Sequence, residues 1–152
     1  MDESTRRAQR LTRAASLVLM TLGLLHIVLF TAVAIWRGYG SDWLAGNLRT
    51  LSFVTTFSTE PSNASFWASI GSAAVPLFLL GGLLLRLSKL GVAVPGSIGY
   101  GLAVWFLIAA VLFEPTGFSV ALVAAIMVIR AHILERGARS AVVPATPVSE
   151  NF

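Results

Sequence analysis

Four apolar runs set the rhythm of the chain: Ala14 to Trp36, about Ser65 to Leu85, about Gly96 to Phe113 and about Gly117 to Leu134. The first three hold no charged side chain, and the fourth meets Arg130 only near its end. Each approaches the roughly 20 residues that an α-helix needs to cross a bilayer. The pattern predicts an all-α fold, an integral membrane four-helix bundle. The third and fourth runs meet at LFEPTGF, Leu112 to Phe118, a corner too short for any soluble connector. Those two spans must therefore be antiparallel neighbours.

The one long connection, residues 37 to 62, mixes polar residues with Trp43, Leu44, Leu48, Leu51 and Val54, which share one helical face, and Ser41 or Asp42 can cap its start. A short amphipathic surface helix in this first outer loop is the plain reading. A re-entrant segment over residues 41–58 is the sharper one, but Arg49 would be costly below the headgroups.

Details within the runs predict how they pack. Pro76, followed by Gly81 and Gly82, should bend the second span, while Ser65, Ser69, Ser72 and Pro76 give it a small, weakly polar face. The third span carries Ser97, Gly101, Trp105 and Ala109 in one stripe, with Gly99 and Ala103 beside it. The fourth carries Gly117, Ala121 and Ala125. Small-residue stripes let backbones approach closely in lipid, so these two spans should form the tightest pair.

Composition supports this reading. Hydrophobic residues make up 56% of the 152 and charged residues 12%, against about 25% charged in soluble domains. The formal charge of +4 does not point to nucleic acid, because the basic residues flank apolar runs instead of forming a stripe. Of the 11 basic residues, Arg6, Arg7, Arg10, Arg13, Arg86, Lys89, Arg130, Arg136 and Arg139 fall on one side and Arg37 and Arg49 on the other. By the positive-inside rule both termini are cytoplasmic. Residues 1–13 read as a basic cytoplasmic start, 14–135 as the four-span domain and 136–152 as a disordered tail. An uncleaved first span fits better than a signal peptide, whose apolar core is only about 7–15 residues long. With no cysteine in the chain, thiolate chemistry and thiolate metal sites are excluded.

Few polar groups remain to carry chemistry. His26 is the one ionisable side chain deep in a span. It reads either as a functional group or as a neutral imidazole hydrogen-bonded to Ser69 or Ser72, with Gly23 leaving it room. His132 lies near the cytoplasmic end, about 15 Å away in depth by helix rise. The two cannot share a haem iron, and no metal or other cofactor is expected. Glu114, locked by Pro115 at the outer corner, is the candidate catalytic acid; the competing reading is a loop carboxylate that caps the fourth helix. Trp36 and Trp67 fall on the same outer side, and with His26 and Trp105 they are the candidate ligand-binding residues, against the plainer reading of an interfacial belt.

The order of features, TLGLLHIVL in the first span, SFW before the second, LGVAVP before the third and LFEPTGF at the last corner, resembles the domain of unknown function 6463 family. The likeness covers about residues 14 to 135 and rests on Gly23, His26, Phe66, Trp67, Pro115, Gly117 and Phe118. Glu114 and the serine after Phe118 stand out as departures. The resemblance implies a small bacterial inner-membrane protein without an assigned activity.

Two functions follow as expectations. One is a non-enzymatic membrane protein that binds an apolar small molecule or the membrane helices of a partner. The other is an isomerase or cyclase of a terpenoid or other lipid, with Glu114 as acid and outer aromatics steadying a carbocation. Expected partners are the lipid bilayer, such a ligand or membrane protein, and a second copy of the chain.

Overall fold

The computed structural model describes residues 3–46, 61–113 and 117–142. Every regular element among them is helical: α1 (Glu3–Trp36), α2 (Tyr39–Leu44), α3 (Pro61–Ala68), α4 (Ala74–Lys89), α5 (Gly96–Phe113) and α6 (Phe118–Val142). The all-α expectation holds. The segments Glu3–Trp36 and Phe118–Ser140 are long and apolar enough to cross a membrane, and Gly96–Leu112 is a shorter apolar helix.

Three local expectations change. The run from Ser65 to Leu85 is not one helix bent at Pro76: it breaks between Ala68 and Ala74. The surface helix covers Tyr39–Leu44, and Leu48, Leu51 and Val54 lie outside the described residues. Residues 136–142 continue α6 instead of starting a disordered tail, because Arg136, Ala138 and Arg139 are good helix formers and the Ser140 hydroxyl donates to the Arg136 carbonyl at 3.1 Å.

The chain falls into two compact units. One comprises Met1–Ala15 and Leu84–Phe152, the other Ser16–Leu83.

In the Ser16–Leu83 unit, α1 and α4 meet through reciprocal glycines. A methyl on Gly23 would lie 2.8 Å from the Ala74 carbonyl oxygen and 3.1 Å from the backbone nitrogen of Phe78. A methyl on Gly81 would lie 3.0 Å from the Ser16 carbonyl oxygen and 3.1 Å from the Met20 nitrogen. Low numbers on one helix face high numbers on the other, so the pair is antiparallel. Gly23 therefore makes room for the α4 backbone and not for the His26 ring.

In the other unit α5 and α6 pair closely. Gly99, Leu102, Phe106, Ala109 and Ala110 are buried on α5, and Ala121, Ala124, Ala125, Val128 and Ala131 on α6. Both faces follow the i, i+3, i+4 spacing of a packed helix. Gly99 sits so close to α6 that a methyl there would come within 3.1 Å of the Ile129 nitrogen. The α6 stripe through Ala121 and Ala125 is the expected one. On α5 it is not: Ser97, Gly101 and Trp105 are exposed, and Gly101 has nothing within 4 Å of where a methyl would stand. The reason is Phe106, fully buried with its ring 6.4 Å from that of Phe118, which turns that face inward. Gly91 ends α4 in a left-handed conformation (φ 69°), and the Val92 N–H reaches back to the Leu87 carbonyl at 3.0 Å, a Schellman close. Ser88 ties this end to α1, donating to the Gln9 carbonyl and accepting from Arg13 Nε.

Candidate functional site

The site is built on the break between α3 and α4. Serines compete with helical hydrogen bonding by offering the backbone local partners, and here they do so in succession. The Ser69 hydroxyl donates to the Ser65 carbonyl at 2.6 Å, the Ser72 hydroxyl donates to the Ser69 carbonyl at 2.6 Å, and the Ala74 N–H caps onto Ser72 Oγ at 3.2 Å. The Gly71 N–H turns back to the Phe66 carbonyl at 2.9 Å. Pro76 has no N–H to offer the Ser72 carbonyl four residues back, so the helix cannot simply run through.

A break strands carbonyls at the end of α3, and His26 serves one of them. Its Nε2 stands 2.9 Å from the Ala68 oxygen. A carbonyl only accepts, so Nε2 carries the proton and, in the neutral ring, Nδ1 is left as an acceptor. Phe30, one turn further along α1, stacks on the imidazole at 4.5 Å. His26 thus bonds the Ala68 carbonyl and not the hydroxyl of Ser69 or Ser72, the partners expected for a neutral ring.

Beside this contact lies a cleft of about 290 Å³ between the end of α1, α2 and α3. Phe30, Val33, Ala34, Pro61, Ala64 and Ala68 form its apolar walls, and Arg37, Tyr39 and Ser65 supply its polar groups. α2 is fastened to α3 by Trp43, whose indole N–H donates to the Ser62 carbonyl at 3.0 Å and whose ring meets Phe66 edge-on at 5.9 Å. The site is thus an apolar slot with a cation and two hydroxyls among its lining.

The residues singled out from the sequence are distributed around it. His26 holds the backbone next to the cleft. Trp67 packs edge-on against Phe66 at 5.4 Å and is half exposed, and Trp36 at the end of α1 is 82% exposed. Trp105 belongs to the other unit, where it stacks on Phe106 at 5.1 Å. None of the three tryptophans is among the residues lining the cleft. Glu114 lies outside the described residues.

The sequence reading passed over one group. Glu135, one residue beyond the fourth apolar run, lines a second cleft of about 410 Å³ within the unit of Met1–Ala15 and Leu84–Phe152. Thr5 and Gln9 of α1, Gly91 and Ala93 of the α4–α5 turn, and Arg139 of α6 line it too. Glu135 Oε2 is buried with no hydrogen-bond partner. Arg139 and His132 lie one turn to either side of it on α6. His132 itself bonds the Val94 carbonyl through Nδ1 at 3.2 Å. The available signal was that Glu135 is the one carboxylate among Arg130, Arg136 and Arg139.

Residues 10–135 match the model of a family of unknown function, DUF6463. No curated protein and no solved structure matches the chain.

Proposed function

The chain belongs to the DUF6463 family, and we propose that it is a bacterial inner-membrane protein of four spans with both termini in the cytoplasm, which binds the apolar chain of an amphiphile in the cleft between α1 and α3. The observation that carries the binding reading is the composition of that cleft: six apolar walls, with Arg37, Tyr39 and Ser65 as its polar groups. An acyl or prenyl chain meets only hydrocarbon along the walls, and an anionic or hydroxyl head finds a guanidinium and two hydroxyls. Membrane placement is supported by α1 and α6, long and apolar enough to span. It is also supported by helices that stay apolar on their exposed faces, such as Val104, Leu107, Ile108 and Val111 of α5. The distribution of basic residues supports the orientation.

Binding is tested by lipid extraction and native mass spectrometry of the protein purified in mild detergent. A defined amphiphile should travel with the wild-type chain, and Ala64→Trp, which fills the cleft from an exposed position on α3, should reduce its occupancy several-fold. Equal occupancy in the two proteins would rule the cleft out as the binding place.

Orientation has its own test, made simple by the absence of native cysteine. Single cysteines at Ser4 and Ser140 should resist a membrane-impermeant maleimide in intact cells, whereas one at Ser41 should label. Labelling at either terminal position would reverse the assigned topology.

A further inference from the structure

Glu135 and Arg139 stand four residues apart on α6, the spacing at which a carboxylate and a guanidinium ordinarily pair along a helix surface. Here Glu135 Oε2 is closed off from solvent with no hydrogen-bond partner, and Arg139 is exposed, while both line the cleft of about 410 Å³. The rest of the lining is small or neutral. Gly91, held at φ 69°, carries no side chain, and a Cβ there would lie 3.7 Å from the Gln9 amide nitrogen, which places that amide at the cleft wall. Thr5 adds a hydroxyl. A simple cation entering the cleft would meet Arg139, and a simple anion would meet Glu135. A ligand that carries both signs satisfies both.

We infer that this cleft binds a small zwitterion, its primary ammonium donating to Glu135 and its anionic group resting on Arg139, with the Gln9 amide and the Thr5 hydroxyl as neutral partners. The ammonium supplies the N–H donor that Oε2 lacks, and the bond is charge-assisted on both sides. The same chemistry has two sources: a soluble phosphoethanolamine-type molecule, or the headgroup of phosphatidylethanolamine. Phosphatidylcholine provides the control, since its quaternary ammonium keeps the charge but has no N–H.

The full chain in detergent is offered equimolar phosphatidylethanolamine and phosphatidylcholine and read by native mass spectrometry. Retention should favour phosphatidylethanolamine by about ten-fold, the factor that one charge-assisted hydrogen bond implies. Glu135→Gln should abolish the preference, Glu135→Asp should keep part of it, and Arg139→Gln should weaken retention of both lipids. If soluble phosphoethanolamine displaces the lipid, or raises the melting temperature where no lipid preference is seen, the zwitterion is drawn from solution. Equal retention of the two lipids together with no response to phosphoethanolamine would overturn the assignment. So would an undiminished preference in Glu135→Gln.

Discussion

Gly23→Ala should destabilise the protein by about 1–3 kcal/mol, the ordinary range for forcing an extra methyl into a packed interface, while Gly82→Ala should leave it as stable or slightly more so. At Gly23 the new methyl would meet backbone, the Ala74 oxygen at 2.8 Å and the Phe78 nitrogen at 3.1 Å. Backbone cannot rotate aside as a side chain can, so α1 and α4 must separate. Nothing lies within 4 Å at Gly82, and there alanine only gains helix propensity, about 0.5–1 kcal/mol. Gly81→Ala should fall between them, because its nearest neighbour is the flexible Met20 side chain at 2.7 Å, with the Ser16 oxygen behind at 3.0 Å. Thermal melts in detergent, or titration with a denaturing detergent, give the order. If Gly23→Ala melts with Gly82→Ala, the close approach of α1 and α4 is not a feature of the folded protein.

His26→Leu should cost about 0.5–1.5 kcal/mol, the ordinary net worth of one hydrogen bond to an exposed carbonyl, and His26→Gln should recover most of it. The single polar contact of the imidazole is with the Ala68 carbonyl at 2.9 Å, and glutamine keeps an N–H donor of similar reach where leucine keeps only the bulk. Ala68 also lines the cleft, so the leucine variant should lose bound amphiphile along with stability. Insertion of the first helix itself should be unaffected, because its apolar run only becomes more apolar. Measured side by side, equal stability of the leucine and glutamine variants would show that His26 is not there as a donor.

The helical class and some helix limits were legible in the sequence because apolar length sets them directly, whereas α1 begins at Glu3 and α6 ends at Val142, both well beyond the apolar runs. The end of α1 at Trp36 and the α5 span of Gly96–Phe113 coincide with the expected limits. The break after Ala68 was not legible. The serines that make it would, in an unbroken helix, bond to carbonyls four residues back in the same fashion, and only Pro76 announces a disturbance. Nor could the packing face of α5 be chosen, since an almost wholly apolar helix shows no single preferred side, and the expected stripe through Ser97, Gly101 and Trp105 gives way to the face that buries Phe106. The role of Gly23 depended on which helix faces it, a matter of pairing register that no periodicity encodes. Glu135 was passed over because a carboxylate among arginines reads as one more interfacial charge. At the cleft, the apolar walls from Phe30 to Ala68 come together only through the packing of α3 against α1.

The interruption at Ser69 to Ala73 also bears on how the chain is made. It separates helices of 8 and 16 residues, α3 and α4, about 12 and 24 Å long by helix rise, each short of the roughly 30 Å of bilayer hydrocarbon. Neither piece is a self-sufficient insertion signal. α1 leaves the ribosome first, already carrying the donor that satisfies Ala68 and the glycine that admits α4. In the four-span reading proposed above, the first helix would act as the receiver for the second during biogenesis, and losing His26 or Gly23 should show as slow or incomplete integration of the segment that follows.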